Sequence, residues 1–293
     1  MKHYEKIAVG HLETVKENKV VHIAYITDEN YAKPTMVSMM SMKMNKDLQS
    51  VYKVHVIGSN LTRESRRGFL DMEENDFHVQ VIDAVLAEEF CSLCKADHDM
   101  HVRPAAILKF QMPKLLSKVG KVLYLDGDTL VLDDLCELYN TDVTGRYAAV
   151  VKDIISERNP KHMRFLKYKN KFYFNSGMML LNLTKLRNDG IADKLVDYRR
   201  HGINHFMDQD ALNVVFKENV VYVSPRYNFL NKFYDWWPVE KLSQFYGEPF
   251  AATFEGAVRN AVVLHLGSHE KPWNYDMGFL TDLYKKYQRL VEN

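Results

Sequence analysis

From residue 20 onward, short apolar runs alternate with longer stretches of mixed, helix-like pattern. Val20–Ile26, Val51–Ile57 and Phe77–Ile82 predict the first strands. Further strands are predicted at Val122–Leu125, Thr129–Val131, Tyr147–Val151, Met178–Leu183, Val220–Val223 and Val262–Leu266. Between them fall predicted helices at Ala32–Met44 (despite its early Pro34), Arg63–Glu73 and Ala105–Leu116. A helix within Asn182–Arg200, another at Asp208–Phe216 and a closing amphipathic helix at Phe279–Val291 complete the series. Such alternation predicts an α/β fold, a mostly parallel central sheet flanked by helices. No internal repeat or low-complexity linker divides it. The expected layout is an extension over 1–19, one domain over 20–276 and a C-terminal helix over 277–293.

The chemistry is expected around Val122–Val131, where an apolar strand breaks into Asp126-Gly127-Asp128 and then resumes. Two carboxylates at the carboxyl end of a strand suit a hard divalent cation that keeps positions open for substrate phosphates. Gly127 permits a tight turn and keeps a side chain away from whatever docks there. Asp128 is expected to face solvent. The plain alternative for this DxD motif is a solvated turn between two strands. In open α/β sheets ligands gather at the carboxyl ends of strands. Thr27-Asp28-Glu29-Asn30-Tyr31 follows the first strand, and His265 through Lys271-Pro272-Trp273 follows the last. His265 is thus a candidate third metal ligand, and Lys271 a candidate phosphate partner. Two carboxylates with one imidazole favour Mn²⁺ over the harder Mg²⁺, which stays the alternative.

Composition narrows the class. Lys and Arg number 39 against 38 Asp and Glu, so no basic footprint points to nucleic acid. No apolar run approaches the ~18 residues of a membrane span, and residues 1–19 lack the apolar core of a signal peptide. Three cysteines, an odd number, fit a reducing compartment better than a disulfide scaffold, so a cytoplasmic location is expected.

Side by side, these turns resemble those of the family 8 glycosyltransferases, retaining enzymes of the GT-A fold. The match runs through Thr27–Ala32, Leu123–Asp128, Phe174-Asn175-Ser176-Gly177-Met178, Asp208-Gln209-Asp210-Ala211-Leu212-Asn213 and the closing His265–Trp273 block. Bacterial lipooligosaccharide galactosyltransferases and the glycogenin fold are similar. The resemblance implies a UDP-hexose donor, with galactose or glucose open, and a saccharide or glycolipid acceptor. It implies Mn²⁺ held by Asp126, Asp128 and His265. Asp28, Asn30 and Tyr31, with Thr27 beside them, would hold the uridine, and Lys271 would pair with the diphosphate. Asn175, Ser176, Asp208 and Gln209 would line the donor-sugar pocket, with Asp153 near the reacting hydroxyls. Gln209 stands where a nucleophile would be sought; an amide is a weak one, which favours front-face attack.

The chain departs from that pattern in places. Lys109 stands where the family usually has an arginine reaching the donor sugar, and loses the planar fork. Ser268 takes a place usually held by glycine, Gly267 coming one residue earlier. The basic, aromatic C-terminal tail of the family pattern is not seen, which weakens an expectation of membrane attachment; peripheral membrane contact stays open. Cys91, Cys94, His98 and His101 have zinc-like spacing but are too compact for common zinc modules. Tyr227, Phe233, Tyr234, Trp236 and Trp237 form a late aromatic cluster, open between acceptor platform and core. Asp133-Asp134 reads as a solvated helix terminus. The rivals are a haloacid-dehalogenase-like phosphatase, a glycogenin-like self-glucosylating protein and a non-catalytic UDP-sugar binder. The phosphatase leaves the Asn-Ser-Gly, Asp-Gln-Asp and Lys-Pro-Trp blocks unexplained.

Overall fold

A computed structural model describes residues 19–84, 104–166, 168, 172–202 and 205–292. Cys91, Cys94, His98 and His101 lie outside the described residues, as does nearly all of the N-terminal extension. The strands are β1 (Lys19–Asp28), β2 (Ser50–Ser59), β3 (Phe77–Asp83), β4 (Lys121–Leu125) and β5 (Thr129–Val131). Next come β6 (Ala148–Lys152), β7 (Phe174–Asn182), β8 (Val220–Tyr222), β9 (Phe229–Leu230) and β10 (Val263–His265).

Seven strands form one sheet in the order β3-β2-β1-β4-β7-β6-β8. All pair in parallel except β7, which runs against both β4 and β6. The mostly parallel sheet is therefore observed. The chain crosses from β1 towards β2 on one side and reaches β4 on the other, so the switch point lies between β1 and β4. Reversal of β7 has a consequence for the site: its amino end, Phe174-Asn175-Ser176, lies at the same edge as the carboxyl ends of β4 and β6. That strand starts earlier than the apolar run Met178–Leu183 predicts, and Leu183 opens a helix instead. Asn213 explains the early start. Its Nδ2 donates to Phe174 O and its Oδ1 accepts from Phe174 N, both at 2.9 Å, as a neighbouring strand would. Asn182 ends the strand by accepting from Lys185 N at 3.0 Å, a helix N-cap. The expected helix within Asn182–Arg200 is two, Leu183–Asn188 and Ile191–His201, parted at Gly190 with φ of 62°.

The late strand expected at Val262–Leu266 does not join the central sheet. It is β10, antiparallel to β5 and parallel to β9 in a separate three-stranded sheet. The helix Glu29–Asn45 covers the free edge of β5 through a stripe of small polar residues, Thr35, Ser38 and Ser41. Ser41 Oγ accepts from Val131 N at 2.9 Å, and Asn45 Nδ2 donates to Val131 O at 2.9 Å. Both backbone groups are thereby satisfied without another strand. Asp134 also departs from expectation: it accepts from Ser50 Oγ and Tyr52 OH, each at 2.8 Å, instead of facing solvent. The closing helix Phe279–Glu292 packs on Glu29–Asn45, with Tyr287 OH accepting from Asn45 Nδ2 at 2.8 Å. No described helix is long and apolar enough to cross a membrane.

Candidate active site

The Asp126-Gly127-Asp128 turn joins the two sheets, leaving β4 in the large one and entering β5 in the small one. It is held from both sides. Asp126 N donates to Gly177 O of β7 at 2.8 Å, and Leu266 N donates to Asp128 O at 2.9 Å. Gly127 lines the cleft, and the helix Glu29–Asn45 adds a reason for glycine that was not expected: a Cβ there would lie 2.3 Å from Thr35 Oγ1.

Around this turn Asp126, Asp128 and His265 present ligand atoms that all lie within 4.8 Å of one another. His265 Nε2 is 3.8 Å from Asp126 Oδ2 and 3.4 Å from Asp128 Oδ1. The outer oxygens of the same carboxylates meet lysines. Lys109 Nζ is 3.0 Å from Asp126 Oδ1, which also accepts from Tyr124 OH at 2.5 Å. Lys271 Nζ is 2.5 Å from Asp128 Oδ2 and 2.6 Å from Leu266 O. Asp128 is only 9% exposed, so the expectation that it faces solvent is corrected. Burial alone would raise its pKa. The charges of Lys271 and His265 outweigh burial and hold the carboxyl well below its usual range, so it is ionised at neutral pH. Lys109 is likewise held charged: burial opposes this, and the carboxylates of Asp126 and Asp208 prevail.

Hydrogen bonds fix which nitrogen of His265 faces the carboxylates. Gly177 N can only donate, so Asn175 Oδ1, 2.9 Å away, is an acceptor. Asn228 Nδ2 then donates to that same oxygen at 2.9 Å, which leaves Asn228 Oδ1 to accept from His265 Nδ1 at 3.0 Å. Nδ1 therefore carries a proton, and Nε2 is the nitrogen turned to the two aspartates. This is how a metal-ligating imidazole is normally oriented. Gly177 supplies the space, because a Cβ there would lie 2.1 Å from His265 Cε1 and 2.9 Å from Asp126 Oδ2. Donor chemistry, tautomer and cradle all fit a divalent cation. Asn228, fully buried in the 3₁₀ turn Pro225–Asn228, was not foreseen from sequence; nothing in its pattern marks it. Asn228→Ala is expected to weaken Mn²⁺ binding by about 10- to 100-fold. Calorimetric titration of Mn²⁺ checks this, with circular dichroism to establish that the variant is folded.

A cleft of about 460 Å³ opens beside these ligands. Thr27, Asp28 and Tyr31 line it from the end of β1, as expected, whereas Asn30 is exposed and not among its lining residues. Asp28 caps the helix Glu29–Asn45, accepting from Tyr31 N at 3.0 Å. The amino end of β7 brings Asn175 and Ser176 in. They sit at a bulge: opposite Val150 and Val151 of β6 lie Met179 and Asn175, so Ser176, Gly177 and Met178 bow out of register. Ser176 Oγ donates to Asp208 Oδ2 at 2.9 Å, and Ser176 N donates to Gln209 Oε1 at 3.0 Å. Asp153 Oδ2 accepts from Asn175 Nδ2 at 3.1 Å and from Gln209 Nε2 at 3.3 Å; burial raises its pKa. Lys109 lines the cleft, yet its ammonium lies between Asp126 and Asp208 (2.9 Å) with Ser176 O at 3.5 Å. All three of its N–H groups thus have protein oxygens. Ser268 stands apart from the lining, accepting from Asn231 Nδ2 at 3.1 Å. Of the late aromatics only Trp236 lines the cleft, while Phe233, Trp237 and Tyr227 are buried in the core.

Two carboxylates and an imidazole with flanking lysines, at the switch point of such a sheet, define an α/β protein with a candidate divalent-cation site beside its cleft. Residues 22–277 match the model for Glycosyl transferase family 8. The chain belongs to that family and is a glycosyltransferase. It is similar to general stress protein A of Bacillus subtilis, 25% identical over 266 residues, covering 89% of this chain and 90% of that protein. It is also similar to the glycosyltransferase GlyE of Streptococcus pneumoniae serotype 4, 27% identical over 197 residues; that match covers 64% of this chain and 42% of GlyE. In fold it is similar to the galactosyltransferase LgtC, solved with donor and acceptor sugar analogues. The TM-score is 0.79 at 22% identity, over 93% of this chain and 97% of LgtC. The expected GT-A fold is thereby shown.

Proposed function

We propose that the chain is a Mn²⁺-dependent, retaining transferase that moves a hexose from a UDP-sugar to a saccharide or glycolipid acceptor. The observation that carries this reading is the convergence of Asp126 Oδ2, Asp128 Oδ1 and His265 Nε2 beside the cleft. Asp126, Asp128 and His265 would hold Mn²⁺, whose charge would stabilise the departing UDP. Thr27, Asp28 and Tyr31 would receive the uridine, with Asn30 at the outer edge. Lys271 already bridges Asp128 and Leu266 O, so a short swing carries its ammonium to the diphosphate. Asn175, Ser176 and Asp208 would face the donor sugar. Lys109 acts through Asp126 and Asp208, holding both carboxylates in place, because its N–H groups are already committed. Gln209 is clasped by Ser176 N and Asp153, which suits a group that orients the reacting sugar more than one that attacks it. Attack from the front face, with the departing phosphate taking the acceptor's proton, fits that arrangement.

Calorimetric titration of UDP-galactose, UDP-glucose and their N-acetyl counterparts, with Mn²⁺ and again with EDTA, tests the reading. One UDP-hexose should bind in a Mn²⁺-dependent manner; binding of none would overturn the proposal. Lys271→Ala should lower kcat by about 100-fold while changing KM far less, because its charge matters most as the phosphate leaves. An unchanged kcat would remove that role.

A further inference from the structure

Trp236 is 36% exposed and lines the cleft, and the guanidinium of Arg158 stacks on its ring at 4.3 Å from the centroid. Arg158 ends the short helix Ile155–Arg158, whose first residue also lines the cleft. The next helix, Pro160–Phe165, meets the cleft's lining through one ring contact. Its His162 is buried against Phe206, a lining residue, with ring centroids 4.7 Å apart. Lys161, Arg164 and Phe165 of that helix are exposed. None of Arg158, Lys161 and Arg164 pairs with a carboxylate among the described residues. The described run 157–166 carries three lysines and arginines against one acid, in a chain whose net charge is only +1. Nearby acids do little to offset this. Glu157 is exposed, and Asp235 is already paired with Lys232 at 3.1 Å.

We propose that this shelf is the acceptor subsite and that it takes a phosphate-bearing sugar, stacked on the open face of Trp236 with its phosphate on Arg158, Lys161 and Arg164. The proposal rests on the transferase reading above. Placement of the anion at the rim follows from charge: the lysines of the interior, Lys109 and Lys271, are already paired with Asp126, Asp208 and Asp128, whereas the three rim cations are not paired with a carboxylate among the described residues. A guanidinium over a ring keeps its N–H groups in its own plane, free for phosphate oxygens. A tetrahedral phosphate offers enough acceptor oxygens to meet several cations at once, which a neutral sugar hydroxyl cannot. Sugar faces stack on exposed indole rings, so Trp236 supplies contact that does not depend on charge.

The test is calorimetry on the full chain, saturated with Mn²⁺ and UDP, comparing methyl β-galactoside with its 6-phosphate at low salt. The phosphate ester should bind about tenfold more tightly, and added salt should erode that preference. The triple variant Arg158→Gln, Lys161→Gln, Arg164→Gln should lose the preference and keep its Mn²⁺-dependent UDP affinity. Trp236→Ala should weaken both glycosides. Equal binding of the two glycosides by the native chain, or a preference that survives the triple variant, would overturn the proposal. So would sedimentation with phosphatidylglycerol vesicles that depends on the three cations without any glycoside preference, since the shelf would then face a lipid surface. UDP binding is measured before the glycoside is added. Its absence in the native chain would overturn the transferase reading and this proposal with it, whereas UDP binding without a glycoside preference would overturn this proposal alone.

Discussion

Asp128→Ala should abolish Mn²⁺-dependent binding of a UDP-sugar, with a loss of affinity of about 100-fold or more. It removes one of three ligand atoms and also removes the local excess of negative charge. Asp126, Asp128 and Asp208 outnumber Lys109 and Lys271 across the native site, and that excess attracts a divalent cation. Without Asp128, the Lys271 ammonium remains near the site with Leu266 O as its hydrogen-bond acceptor, and repels an incoming cation. Because Asp128 is buried and bonded, the variant should also be less stable, by about 1–3 kcal/mol for the stranded lysine. At this size that is a fall in Tm of several degrees. Asp128→Asn separates the two effects: it keeps the shape and a partner oxygen but loses the charge, so metal affinity should fall while Tm stays closer to native. Calorimetry and differential scanning calorimetry on both variants check this. Retention of Mn²⁺-dependent UDP binding in Asp128→Ala would remove the aspartate from the ligand set.

That Asp128 is buried could not be read from Asp-Gly-Asp, which looks the same in a solvated turn. The periodic segments were legible: β1, β2, β3 and β4 begin and end within about two residues of their apolar runs. Less legible were elements too short to have a period. β9 has two residues and β10 three, so their departure into a second sheet leaves no trace in the pattern. His265 was legible as a candidate ligand, yet it reaches the aspartates by antiparallel pairing of β10 with β5, His265 opposite Thr129, and not from the central sheet. The Asp208–Asn213 block carries two jobs that spacing alone does not separate. Asp208 and Gln209 face the cleft. Asp210 turns the other way, accepting from His205 N and Phe206 N at 2.8 and 2.9 Å and from Tyr173 OH at 2.6 Å. That fixes the entry of the helix Met207–Phe216, whose first residue sits at φ of 48°. Asn213 edges β7. Half of a motif that looks catalytic is there to aim the other half.

Gly177→Ala should be nearly as damaging to the site as loss of a ligand while leaving the fold intact. A methyl at this position would lie 2.1 Å from His265 Cε1, 2.6 Å from Nδ1 and 2.9 Å from Asp126 Oδ2. Neither neighbour is the loose end of a long side chain. The imidazole is a rigid ring tied to Asn228, and the Asp126 carboxylate is tied to Lys109 and Tyr124. Relief of the clash requires a movement on the order of 1 Å, whereas metal–ligand distances tolerate about 0.2 Å. Mn²⁺ affinity should therefore fall by about 100-fold, and kcat/KM with it. Gly177 does not adopt positive φ, so alanine fits its backbone and Tm should change little. Gly145→Ala makes the opposite case: φ there is 70° and nothing lies within 4 Å of the added methyl. That variant should lose about 1 kcal/mol of stability to backbone strain and bind Mn²⁺ normally. Mn²⁺ titration and thermal melts of the two variants thus move in opposite directions. Native Mn²⁺ affinity in Gly177→Ala would mean that His265 has room to retreat, and that the bulge of β7 is not what shapes the metal site.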